Sequence, residues 1–135
     1  MNKMNFSKSK RLFKRIMSVL TAFLILAGSG IIVNMLIIAG KWEEMSEMGF
    51  VSQSAMSLPV YFLVLATIAF LIYELNKNLQ NSAVAIGLVL ALMMSLPELI
   101  NSVYYVIPLS VTVWTIANNF FSITLASYVF YMMWN

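Results

Sequence analysis

The chain has 135 residues, of which 61% are hydrophobic and only 10% are charged, and its mean hydropathy is +0.88. A soluble domain carries about 25% charged residues, so this composition excludes an ordinary soluble protein and indicates one compact membrane domain. Cys and His are both absent. Their absence excludes disulfides, thiol chemistry and the commonest metal ligand.

Six of the eight basic residues precede the first apolar run, within residues 1–15. Flanking Lys and Arg residues stay on the cytoplasmic side of a membrane. We therefore predict a basic cytoplasmic segment at 1–15 and a bacterial-type plasma membrane protein with both termini inside. The excess of positive charge behind the net +3 is local to this segment, which has six basic and no acidic residues, and it suits anionic lipid rather than nucleic acid. The residues expected to contact anionic phospholipid headgroups are Lys8, Lys10, Arg11, Lys14 and Arg15.

The first apolar run covers residues 16–39. At 1.5 Å per residue it reaches about 36 Å, enough to cross a hydrocarbon core of about 30 Å. A cleaved signal peptide is the competing interpretation, because basic residues come first and Ala27-Gly28-Ser29 offers a small-residue cleavage site. The length of the run favours a retained membrane anchor.

Further apolar runs follow at 58–75, 83–106 and 109–133. They are separated by a polar loop, a polar turn that is predicted to begin at Glu74, and an uncharged turn at Pro108. Connections this short make successive helices antiparallel neighbours. The sequence therefore predicts an all-α fold, an integral membrane up-down four-helix bundle formed by residues 16–135.

The third run carries a small residue at every fourth position, namely Ala83, Gly87, Ala91 and Ser95. Such a ridge lets two helix backbones approach closely in lipid. Packing within the chain is the favoured interpretation, and homodimerisation through the ridge is the alternative. The sequence leaves open a homo-oligomer or another membrane protein as partner, besides the bilayer itself.

Glu98 is the only acidic residue well inside a predicted span, and it follows Pro97, which should kink the helix. A charged side chain at this depth is costly, so it should face protein or water. In a hairpin that turns near Pro108, Asn118 and Asn119 lie about as far from the turn as Glu98 does. We therefore predict an intramembrane polar cluster of Glu98, Asn101, Asn118 and Asn119, with Asn34, Ser102, Ser95 and Ser122 as further candidates.

This polar cluster has two interpretations. Asn and Ser side chains commonly hold membrane helices together through hydrogen bonds. An intramembrane ionisable group is also a candidate ligand, ion or proton site. The cluster has no His and a single carboxyl group, which are too few titratable side chains for a complete proton relay.

No catalytic constellation is present, since His and Cys are missing and all five acidic residues are Glu. We expect no enzyme, no cofactor and no metal site. The eleven Met residues are spread along the chain, which favours apolar packing over copper binding. Glu43, Glu44 and Glu47 are better explained as a solvated loop than as a cation site.

The order of features resembles small bacterial four-helix membrane proteins of the DoxX-like group. The resemblance rests on the basic start, the glycines of the first run, the aromatic and acidic segment Lys41–Phe50 that ends in Gly-Phe, and Pro59 at the start of the second run. It covers about the first 90 residues, mostly as topology, and implies four membrane helices. The group is functionally diverse and includes subunits linked to quinone or redox membrane complexes, so it implies no particular activity.

The leading functional hypothesis is a small non-enzymatic accessory, modulator or interaction subunit in the membrane. The alternative is an oligomeric small transporter or channel-like protein that uses the polar cluster around Glu98.

Overall fold

The computed structural model describes residues 3–38, 57–79, 82–104 and 107–134, and all regular secondary structure in these ranges is helical. Helix α1 is continued directly by a π-helical segment, and three further α-helices follow. Their bounds are α1 Lys3–Ile32, the π-helical segment Val33–Ile38, α2 Ser57–Asn78, α3 Ala83–Tyr104 and α4 Leu109–Trp134.

Each of the four helical stretches is long and apolar enough to cross a membrane. The candidate spans are Ser7–Leu36, Pro59–Asn78, Ala83–Tyr104 and Leu109–Trp134. They coincide with the four apolar runs, so the prediction of four such helices in an all-helical chain is confirmed for the residues that the structure describes. The length and composition of these helices suggest a multi-pass membrane protein.

Two helix boundaries lie outside the predicted apolar runs. Helix α1 begins at Lys3 and includes the basic residues before Ile16, because Lys, Arg, Leu and Met are good helix formers. Helix α2 continues to Asn78 instead of giving way to a turn at Glu74. The Asn78 side-chain amide donates to the Glu74 carboxylate at 3.0 Å, one turn back. A change to polar residues therefore ends the apolar run without ending the helix.

The core lies along the inner faces of the helices and is mainly aliphatic, with Phe130 and a few buried Ser and Thr side chains. Ala22, Ile72, Ile123 and Phe130 are at most 1% exposed, and they belong to one contiguous cluster with contributions from every helix. Large apolar side chains on the outer faces are exposed instead, among them Leu24, Leu63, Val89 and Phe121. A buried aliphatic stripe with apolar outer faces is the arrangement that lipid-facing helices need.

The small-residue ridge of α3 packs inside the chain, with Ala83, Gly87, Ala91 and Ser95 all buried. A Cβ atom at Gly87 would lie 2.6 Å from the Thr124 Cα atom, so the backbones of α3 and α4 are close there. The small-residue ridge of α3 is therefore packed against α4 of the same chain. Homodimerisation through the same residues would first require α3 and α4 to separate.

A polar contact joins three helices beside the ridge. The Ser127 hydroxyl of α4 donates to the Ala83 carbonyl at 2.7 Å, and the Asn76 amide of α2 donates to the Ser127 hydroxyl at 3.1 Å. The same amide nitrogen lies 2.9 Å from the Ile72 carbonyl oxygen within its own helix. Asn76, expected in a polar turn, is therefore an interhelical hydrogen-bonding residue, and such contacts stabilise membrane bundles by about 0.6–2 kcal/mol.

Candidate ligand-binding cavity

A cavity of about 200 Å³ lies between the helices and receives side chains from all four helical stretches. Its apolar lining is Leu26, Gly30, Val33, Val64, Leu65, Ile68, Met94 and Ile123. Its polar lining is Asn34, Tyr61, Glu98, Thr115, Asn118, Asn119 and Ser122. The volume is several times the roughly 30 Å³ that one liquid water occupies, so the cavity has room for a small molecule.

Glu98 supplies the only carboxyl group among the described residues that line the cavity. Its side chain is partly buried, one turn after Met94 on α3, and it forms no hydrogen bond or ion pair with another described residue. The described lining includes no Lys or Arg. By facing the cavity, the carboxyl group avoids the cost of exposure to lipid, yet the described residues supply no counter-charge there.

Helix α4 presents four polar side chains to the cavity at helical spacing. Thr115 is satisfied within its helix, because its hydroxyl donates to the Val111 carbonyl at 2.9 Å. Asn118 and Asn119 form no side-chain hydrogen bond with any described residue, and neither contacts the Glu98 carboxyl in that way. The two amides therefore retain donors and acceptors for water or a ligand.

The α1 side of the cavity coincides with the junction between α-helix and π-helix. The Asn34 amide donates to the Gly30 carbonyl at 2.8 Å, across this junction. Short π-helical segments occur frequently at functional sites. Gly30 also makes room for a neighbour, because a Cβ atom there would overlap the Tyr61 hydroxyl of α2. The glycine thus allows the Tyr61 ring to reach α1 at the cavity wall.

One end of the cavity is closed by the core. Residues about one turn beyond the lining are buried on each helix, namely Ala22 on α1, Ile72 on α2, Leu90 on α3 and Ala126 on α4. Together with Phe130 they belong to the same contiguous apolar cluster. Apolar core side chains from all four helices therefore lie at this end of the cavity.

The structure brings together some of the predicted cluster and not the rest. Asn34, Glu98, Asn118 and Asn119 line the cavity together with Ser122. The remaining candidates are not among its lining residues: Asn101, Ser102 and Ser95. Ser102 donates to the Leu99 carbonyl at 2.7 Å, and Ser95 donates to the Ala91 carbonyl at 2.7 Å.

Asn101 and Ser102 lie outside the described lining of the cavity. Both lie one turn beyond Glu98, toward the end of α3. Val111, one turn before Thr115 on α4, packs there against Val33 and Ile107.

Tyr61 and Gly30 are two cavity residues that were not among the predicted members of the polar cluster. Tyr61 lies near the predicted membrane boundary, where an aromatic ring is ordinarily an interfacial residue. The glycine in the first apolar run is the feature that indicates such a contact, since a glycine on a membrane helix often accommodates a close neighbour.

The five predicted headgroup contacts all lie on the first turns of α1 and are exposed: Lys8, Lys10, Arg11, Lys14 and Arg15. Their contact with anionic lipid stays a prediction. The segment Lys41–Phe50, including Glu43, Glu44 and Glu47, lies outside the described residues.

No protein-family model, no curated protein and no solved structure matches this chain. The resemblance to the DoxX-like group therefore stays a prediction that rests on the residues quoted for it.

Proposed function

We propose that this chain is a non-enzymatic modulator or accessory protein of a membrane, and that it binds a small organic cation in the cavity around Glu98. The observation that carries this proposal is a carboxyl group that faces a cavity without a basic partner among the described residues. In a medium of low dielectric constant, an unpaired carboxylate strongly favours a cationic ligand.

The rest of the lining narrows the class of ligand. The side-chain oxygens of Asn34, Asn118 and Asn119 can accept hydrogen bonds from an ammonium or guanidinium group. Leu65, Ile68 and other aliphatic side chains form the remaining wall and favour an apolar substituent. A monovalent cation with a small apolar group, such as an alkylammonium or alkylguanidinium ion, fits both the polar and the aliphatic parts of the lining.

A small transporter or channel-like protein is the second candidate, and the same cavity favours it. Transport would require the closed apolar end at Ala22, Ile72 and Leu90 to open, because these side chains are at most 5% exposed. Binding alone needs no such rearrangement. For that reason we place a ligand-binding modulator ahead of a transporter.

The class of ligand can be tested on the purified full chain by thermal unfolding. We expect methylguanidinium and tetramethylammonium ions to raise the melting temperature, while neutral N-methylacetamide at the same concentration should not. A ligand at about 100 times its dissociation constant stabilises the native state by about 2.7 kcal/mol. Equal stabilisation by the neutral compound, or none by any cation, would contradict the proposal.

We also propose an up-down arrangement in the plasma membrane of a bacterial-type cell, with both termini cytoplasmic. The position of the basic residues supports this orientation. Two contacts support the arrangement of helices. Arg15 in the first half of α1 lies against Trp134 at the end of α4, and Gly30 near the end of α1 lies against Tyr61 near the start of α2.

Reporter fusions test the orientation in cells. A reporter at residue 135 should be active in the cytoplasm, and one inserted within 43–52 should be active outside. A C-terminal reporter found outside would contradict either the number of spans or the orientation. A reporter fused after residue 79 provides the internal control, since it should report the same compartment as residue 135.

A further inference from the structure

A second recess, of about 290 Å³, lies between the first half of α1 and the end of α4. Its described lining is Arg11, Lys14, Arg15 and Trp134, so three of its four side chains are cations. The three basic residues share one helix face, because they are spaced three and four residues apart. This recess is separate from the Glu98 cavity and shares no lining residue with it.

An aromatic cluster holds one of these cations in place. The Arg15 guanidinium carbon lies 5.1 Å from the centroid of the Trp134 ring. Trp134 in turn stacks on the buried Phe130 ring at 5.7 Å and meets the Tyr73 ring edge-on at 5.7 Å. A guanidinium that already rests on a fixed ring loses less conformational entropy when it binds an anion.

The described residues supply no carboxylate partner for these cations. Arg11, Lys14 and Arg15 form no ion pair with another described residue. The acidic residue near this end of α2, Glu74, accepts a hydrogen bond from Asn78 instead. Lys77 adds a further positive charge, 5.5 Å from the centroid of the Tyr73 ring. The recess is therefore a locally positive site with an aromatic wall.

The position of the recess along α1 matches the phosphate layer of a bilayer. Arg11 precedes Ile16, the first residue of the apolar run, by about 7.5 Å along the helix axis. The polar layer on each side of the hydrocarbon core is about 5–8 Å thick. If α1 crosses the bilayer from Ile16 onwards, the three cations lie at the depth of lipid phosphates.

We propose that this recess is a discrete binding site for a phosphomonoester group. Such a group carries about 1.5 to 2 negative charges near neutral pH and has three acceptor oxygens, which can engage several cations at once. A phosphodiester carries a single charge and gains less from three converging cations. The inference does not rest on the function proposed for the Glu98 cavity.

Native mass spectrometry of the full chain in detergent tests the proposal with two lipids of identical acyl chains. Phosphatidate, a phosphomonoester, should bind up to about fivefold more tightly than phosphatidylglycerol, a phosphodiester, which is the factor expected for up to one further unit charge at about 1 kcal/mol. Glycerol 3-phosphate is added as a soluble competitor. If glycerol 3-phosphate fully displaces phosphatidate, the bound phosphomonoester is a soluble ligand. If glycerol 3-phosphate fails to compete, the bound phosphomonoester is the lipid headgroup.

Two double variants remove equal charge from α1 and separate a site from diffuse attraction. Arg11→Gln with Arg15→Gln should abolish the preference for phosphatidate, whereas Lys8→Gln with Lys10→Gln should weaken the binding of both lipids and preserve the preference. Loss of the preference in both pairs would overturn the discrete site. Equal affinity of the unmodified chain for the two lipids would overturn the proposal without reference to any variant.

Discussion

Glu98→Gln should abolish stabilisation by organic cations while leaving the unliganded fold intact. Gln keeps the shape and hydrogen-bonding capacity of Glu but cannot attract a cation by charge. The unliganded protein should be as stable as before or more so, because a charged carboxylate within a membrane span costs about 2.5–3.5 kcal/mol. No protein hydrogen bond to Glu98 would be lost among the described residues.

Thermal unfolding with and without methylguanidinium ion measures this effect. The stabilisation of about 2.7 kcal/mol expected at 100 times the dissociation constant should fall to nearly zero in Glu98→Gln. Glu74→Gln is the matched control, because Glu74 lies on α2 outside the cavity and bonds to Asn78. If Glu98→Gln responded to the cation as the unmodified chain does, the Glu98 carboxylate would not be what binds it. That result would favour the structural interpretation of the polar cluster.

Gly87→Ala should lower the free energy of unfolding by about 1–3 kcal/mol, the usual cost of overpacking a close contact. The added methyl group would lie 2.6 Å from the Thr124 Cα atom and 3.3 Å from the Ile123 carbonyl oxygen. Both are backbone atoms, so relief requires α3 and α4 to move apart. Titration of the reconstituted protein with a denaturing detergent measures the change.

Gly28→Ala is the matched control for this prediction. It adds the same methyl group to another helix, and no atom lies within 4 Å of the new position. Because Ala has a higher helix propensity than Gly by about 1 kcal/mol, this change should be neutral or mildly stabilising. Equal destabilisation by both substitutions would contradict the close packing of α3 on α4.

The parts of the fold that follow from periodicity were predictable from the sequence. Hydropathy located all four helices, and the four-residue spacing of Gly87 and its neighbours indicated a packing ridge. The equal distance of Glu98 and Asn118 from Pro108 predicted that they share a depth, and both line one cavity in the structure. Whether that cavity functions as a site stays a prediction.

The parts that depend on contacts between distant segments were not predictable. Tyr61 on α2 contacts Gly30 on α1, and no local sequence pattern around either residue predicts that contact. The π-helical segment Val33–Ile38 follows an unbroken apolar run, so composition does not distinguish it from α-helix. Asn76 looked like a turn residue because its hydrogen-bond partner, Ser127, lies 51 positions away in the chain.

Chemical labelling of single cysteines tests most directly whether the Glu98 cavity admits cations within the membrane. The chain has no Cys, so Asn118→Cys introduces a unique thiol at the cavity wall. In proteoliposomes this thiol should react faster with a cationic methanethiosulfonate reagent than with an anionic one. Glu98→Gln should erase the difference. A thiol at Val113, which is 54% exposed on the outer face of α4, should react with neither reagent because it faces lipid. Equal rates for the two reagents at residue 118, or a preference that survives Glu98→Gln, would contradict the account.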